Sequence, residues 1–94
     1  MRALVTGAAS GIGRATVLRL ARDARTTGKP AKIALVDIAQ AKAKLDAVAE
    51  EARKLDAEAL TIHADMATAD APGRAVGDAL NRFGGLGPEI FRIV

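Results

Sequence analysis

The residues with the clearest chemical potential lie in one octet, Thr6-Gly7-Ala8-Ala9-Ser10-Gly11-Ile12-Gly13, directly after the apolar segment Ala3-Leu4-Val5. Glycine leaves the backbone bare, so a bulky anion can approach the main-chain N–H groups, and it adopts the positive φ angles that a tight turn needs. A helix starting near Gly11 would present N–H groups with no intrahelical acceptor. Its dipole would add partial positive charge there, worth ~0.3–1 kcal/mol for an anion and up to about 2 when partly buried. Strand, glycine turn and helix start together make a place to hold a pyrophosphate, with Gly7, Ser10, Gly11, Ile12 and Gly13 as candidate residues. The spacing is G-x-x-x-G-x-G, not the commoner G-x-G-x-x-G. Ile12, between the last two glycines, is expected to turn into the core. A flexible turn would also account for the octet alone. The context argues otherwise: an apolar strand precedes it, a helix pattern follows, and an acidic residue ends the next apolar run.

That acidic residue is Asp37, 24 positions after Gly13. In a β-α-β dinucleotide site it would face the adenosine ribose, where its carboxylate can accept from both hydroxyls; bonds to a charged group are worth ~1.5–3 kcal/mol. A 2′-phosphate would bring a like charge to the same spot, costing on the order of 4 kcal/mol at ~4 Å and an effective dielectric of about 20. Asp37 therefore favours NAD over NADP. Neither Ser10 nor Ile38 supplies a positive side chain to reverse that choice. Farther along, Asp65 in Ala64-Asp65-Met66 follows a third apolar run. Its carboxylate could accept from the adenine amino group, with the Met66 N–H facing a ring nitrogen.

The elements that must position these residues alternate. Arg2 to Val5 reads as a buried strand, and Gly11 to about Ala24 as a helix with Ala15, Val17, Leu18, Leu20 and Ala21 on its apolar side. Arg25 to Pro30 reads as a loop, and Lys32 to Val36 as a second strand ending at Asp37. Ala41, Leu45, Val48, Ala52 and Leu55 fall on one helical face, with Glu50 and Lys54 able to pair outside it. Two heptads are short for a coiled-coil seam, so this reads as a helix packed on a sheet. Ala59 to Ala64 is the third strand. Asp70 can cap a third helix that tolerates Pro72 in its first turn and buries Ala75, Val76, Ala79, Leu80 and Phe83. Strands alternating with helices predict a parallel α/β sheet with right-handed crossovers.

Composition narrows the function classes. Ninety-four residues bound the chain to one compact domain. It has two Phe and no Trp or Tyr, so the core must be built from Ala, Leu, Ile and Val. No Cys and a single His, His63, give no zinc-ligand set. His63 reads as an ordinary residue near a strand end. A net charge of +3, spread out and without aromatic platforms, reads as solvated surface and not a nucleic-acid site. No apolar run approaches the ~20 residues that would span a membrane, and no signal-peptide pattern opens the chain, so a cytoplasmic location is expected.

Together these residues resemble the short-chain dehydrogenase/reductase family from about Arg2 to Leu86. The resemblance rests on Thr6 to Ala15, on Val36-Asp37-Ile38, on Ala64-Asp65-Met66 and on Arg82-Phe83-Gly84-Gly85-Leu86. It implies a partial Rossmann domain over residues 1–94, family-like over 2–86 with a divergent tail at 87–94. It also implies NAD(P)-dependent oxidation and reduction of alcohols and carbonyls, and a homo-oligomer. Beyond Leu86 the family would continue with an acidic residue, an apolar strand and Asn-Asn-Ala-Gly. Here Gly87-Pro88-Glu89-Ile90-Phe91-Arg92-Ile93-Val94 stands instead, in which Ile90 to Val94 could form a fourth strand beside the first. The family's reaction uses a Tyr as general acid/base, a Lys that lowers its pKa and a Ser that orients the carbonyl. This chain has no Tyr, and its single Ser is Ser10. No catalytic residue is therefore assigned. The expectation is an NAD-holding N-terminal fragment that does not transfer hydride alone, from a truncated or frame-shifted reading frame. The alternatives are a non-catalytic nucleotide- or partner-binding module, pairing through an exposed sheet edge, and one half of a split enzyme.

Overall fold

A computed structural model describes residues 2–29, 31–65, 70–82 and 91–93. The elements are β1 (Arg2–Thr6), α1 (Gly11–Thr26), β2 (Lys32–Asp37), a 3-10 turn (Ala39–Ala41), α2 (Lys42–Arg53), β3 (Glu58–His63), α3 (Ala71–Arg82) and β4 (Phe91–Ile93). The sheet order is β3-β2-β1-β4 and every pair is parallel. The chain thus winds outward from β1 through β2 to β3, then crosses back to place β4 on the other side of β1. In such a sheet the carboxyl end of β1, where winding reverses, is where ligands settle.

The expected alternation of strands and helices is what forms, including the fourth strand, which spans Phe91–Ile93 against Arg2, Ala3 and Leu4. β1 and β2 are apolar on both faces because both are covered. Val5, Ile33 and Leu35 meet Val17 and Ala21 of α1 and Leu45, Val48, Ala49 and Ala52 of α2. Leu4, Ala34 and Val36 point the other way, toward Ala75 and Ala79 of α3. β3, the edge strand, is only partly buried.

Several details differ from the sequence reading. α1 continues to Thr26, which shortens the following loop; the Thr27 N–H and Oγ1 both bond the Ala24 carbonyl and close the helix there. Ala15 is exposed, and the buried seam of α1 is Gly13, Val17, Leu18, Ala21 and Ala24. α2 begins at Lys42, because the 3-10 turn takes up Ala39–Ala41. Its stripe lies on the sheet, as a helix-on-sheet contact requires. Glu50 pairs with Arg53 at 2.9 Å, one helical turn away, in place of Lys54. α2 ends in a Schellman motif with Asp56 at φ 65°; the Asp56 N–H bonds the Arg53 carbonyl and the Ala57 N–H bonds that of Ala52. α3 starts right after Asp70, whose carbonyl accepts from the Arg74 N–H. The side chains of Val76 and Leu80, and Phe83, lie outside the described residues. No described helix is long and apolar enough to cross a membrane.

Candidate functional site

The octet sits at the carboxyl end of β1, bounded by the end of β2 and the start of α1. Gly7 has φ +62°, a left-handed conformation that a side chain would strain. Gly13 is buried, and a Cβ on it would overlap the Gly7 carbonyl and the Ala8 Cα, so this glycine lets the helix lie against the turn. A Cβ on Gly11 would meet nothing within 4 Å beyond its chain neighbours and its own helix backbone. Two of the three glycines are thus required by the fold itself, while the third opens onto free space.

The amides of Ala8, Ala9, Ser10 and Gly13 are held by the fold. Ala8 N–H donates to the Val36 carbonyl at 3.1 Å and Ala9 N–H to Asp37 Oδ2 at 2.9 Å. Ser10 N–H donates to the Gly7 carbonyl at 3.0 Å. Ser10 Oγ caps α1: it accepts from Gly13 N–H at 3.1 Å and donates to the Gly7 carbonyl at 2.6 Å. Arg14 N–H takes the Ser10 carbonyl at 2.8 Å. Gly11 and Ile12, the first two residues of α1, carry N–H groups that no described carbonyl or side chain accepts, as does Gly7 before them. Those of Gly11 and Ile12 lie where the helix dipole is positive, which suits an anionic group.

Ile12 does not turn into the core. It is 85% exposed, because Gly13 occupies the inward position and the adjacent residue of the helix is carried about 100° round the axis. The other large apolar side chain left exposed among the described residues is Ile38, at 42%. Both stand on the carboxyl rim of the sheet, one above the turn and one beyond Asp37.

Asp37, partly buried, faces the turn. Its Oδ1 accepts from its neighbour Ile38 N–H at 2.8 Å while Oδ2 holds Ala9. Each carboxylate oxygen keeps a further lone pair for a hydroxyl donor. Next to it, Ile38, Ala39, Gln40, His63, Ala64 and Asp65 line an open cleft of about 320 Å³. Asp65 and His63 also border a second cleft of about 340 Å³ against Arg74, Ala75 and Asp78 of α3. The structure therefore gathers Asp37, Ile38 and Asp65 at one end of the sheet, beside the glycine turn; Met66 lies outside the described residues. Gln40 was not among the candidate residues, and His63, read as an ordinary residue near a strand end, closes β3 and borders both clefts. His63 pairs in register with Asp37, a relation visible only once β2 and β3 are aligned. No described group of His, Asp and Glu could hold a metal.

Comparison with known proteins agrees with this geometry. The family described as short chain dehydrogenase matches residues 1–87. The 3-oxoacyl-[acyl-carrier-protein] reductase FabG of Staphylococcus aureus (strain Mu50 / ATCC 700699) is 34% identical over 84 residues, 89% of this chain and 31% of the reductase. Among solved structures, an NAD+-bound xylitol dehydrogenase is 31% identical with a TM-score of 0.74, over 88% of this chain and 29% of that one. A dehydrogenase from Burkholderia cenocepacia with bound NADP is 32% identical with a TM-score of 0.71, over 88% and 30%. The chain spans about a third of the length of these relatives. With the family matched over nearly all of its residues and the fold shared by these structures, the chain belongs to the short-chain dehydrogenase/reductase family.

Proposed function

We propose that this chain is the NAD-holding part of an oxidoreductase acting on alcohols or carbonyls. The observation that supports it most is the pair of unaccepted amides, Gly11 and Ile12, beside a carboxylate, Asp37, at the end of the next strand. In this reading Gly7, Ser10, Gly11, Ile12 and Gly13 form the pyrophosphate turn. Asp37 and Ile38 take the adenosine ribose and one face of the adenine, and Asp65 and Met66 take the adenine edge. The exposed Ile12 offers an apolar surface beyond the pyrophosphate. The bound dinucleotide would supply the hydride-exchanging nicotinamide; the chain's own residues bind and orient it.

Relatives bind either dinucleotide, the xylitol dehydrogenase NAD+ and the Burkholderia protein NADP. Local charge supports NAD here: Asp37 would repel a 2′-phosphate, and neither Ser10 nor Ile38 offsets it. No residue of this chain is assigned to catalysis, since it has no Tyr and Ser10 is engaged in capping α1. A cytoplasmic location and self-association, or pairing along the β4 edge, belong to the same proposal; among the described residues β4 pairs with β1 alone.

Calorimetric titration with NAD, NADP and ADP tests the reading. NAD and ADP should bind, NADP at least ~10-fold more weakly than NAD, a difference of about 1.4 kcal/mol. A folded chain that binds none of the three would refute it.

A further inference from the structure

We infer that Asp37 is a positioning residue for the glycine turn as well as the ribose acceptor, because its Oδ2 fixes the Ala9 N–H across 28 residues of sequence. The turn has two ties to β2. One is the backbone bond from Ala8 N–H to the Val36 carbonyl, which no side-chain change removes. The other is Asp37. Between them they commit the Ala8 and Ala9 amides to the sheet, while Ser10 commits Gly13. The amides at the start of α1, Gly11 and Ile12, are thus set in place before any ligand arrives. Replacing Asp37 would free the Ala9 amide and loosen the turn even for a ligand that never touches the carboxylate. The same side chain therefore influences two subsites, the ribose directly and the pyrophosphate through Ala9.

This rests on the dinucleotide reading only for its second arm. In the first arm, amide hydrogen exchange is followed by NMR in the ligand-free chain for wild type, Asp37→Ala and Asp37→Asn. Exchange at Ala9 should accelerate on the order of ten- to a hundred-fold in Asp37→Ala. It should fall between in Asp37→Asn, whose amide oxygen still accepts, while Ala49 in the core is unchanged. If Asp37→Ala does not fold, Asp37→Asn against wild type carries the comparison. In the second arm, binding is measured for NAD and for its analogue lacking both adenosine-ribose hydroxyls. Asp37→Ala should weaken even the analogue, by roughly three- to thirty-fold. Unchanged exchange at Ala9, or unchanged affinity for the analogue, overturns the inference. A wild-type chain that binds neither ligand refutes the NAD reading, and the Ala9 comparison still decides this one.

Discussion

The two faces of the sheet are built differently. On one, α1 and α2 close over Val5, Ile33 and Leu35 with Val17, Ala21, Leu45, Val48, Ala49 and Ala52, all buried. On the other, among the described residues, Ala75 and Ala79 of α3 meet Leu4, Ala34 and Val36, while Leu60, Ile62 and Ala64 are only partly covered. The closed face carries the helix that starts at the glycine turn, so the turn rests on the best-packed part of the chain. The clefts at the end of β3 border the open face. In the proposed reading, the phosphate end of the site is therefore preset by packing, and the adenine end is left accommodating.

Four experiments press on that contrast. The largest effect is expected in the closed core. Leu45→Ala, at a fully buried position, should cost about 2–5 kcal/mol in urea unfolding, whereas Leu60→Ala on the open face should cost about half as much or less. Equal losses would mean the two faces are alike. Next come the glycines. Gly13→Ala should destabilise by about 1–3 kcal/mol, because its Cβ has no room against the Gly7 carbonyl. Gly11→Ala, with open space around it, should leave stability within ~0.5 kcal/mol of wild type. It should instead weaken NAD binding, by ~10-fold or about 1.4 kcal/mol, since the added methyl stands where the ligand would lie. Third, Asp37→Ala combined with Ile38→Arg should reverse the dinucleotide preference in side-by-side titrations, because it removes a negative charge and adds a positive one. The smallest effect concerns the tie between the two helices of the closed face. Arg14 Nη2 meets Glu51 Oε2 at 2.6 Å and Nε meets Oε1 at 3.2 Å, both side chains substantially exposed. Glu51→Gln should therefore cost only ~0.2–1 kcal/mol, shrinking further in high salt.

Much of this architecture was legible because it is local. β1 and β2 are short apolar runs with unmistakable ends, a glycine turn after one and Asp37 after the other. The α2 stripe shows its face through spacing alone. The glycine octet is legible as a strand-to-helix turn for the same reason: strand end, turn and helix start all lie within eight residues, whereas the Ser10 cap emerges only from the structure. What escaped depends on distance or on angle. The direction of Ile12 is set by which neighbouring position, Gly13, must touch the turn, and composition favours the larger apolar residue as the buried one. The bond from Ala9 to Asp37 spans 28 positions, and the presence of His63 in the cleft follows from strand register. α2 stops at Arg53, short of the Leu55 that closes its apolar stripe, and the left-handed position that follows falls on Asp56, where a glycine would have marked it.

The central claim is that the Gly11 and Ile12 amides, flanked by Asp37, receive the pyrophosphate of NAD. Nitrogen–proton NMR during titration with NAD tests it most directly. The account predicts that the amides of Gly11, Ile12, Asp37, Ile38 and Asp65 move with one common affinity, while those of Lys44, Asp46 and Glu50 on the outer side of α2 stay still. A folded chain whose turn amides do not move at millimolar NAD, or whose shifts fall on α2 and leave the turn untouched, would contradict it.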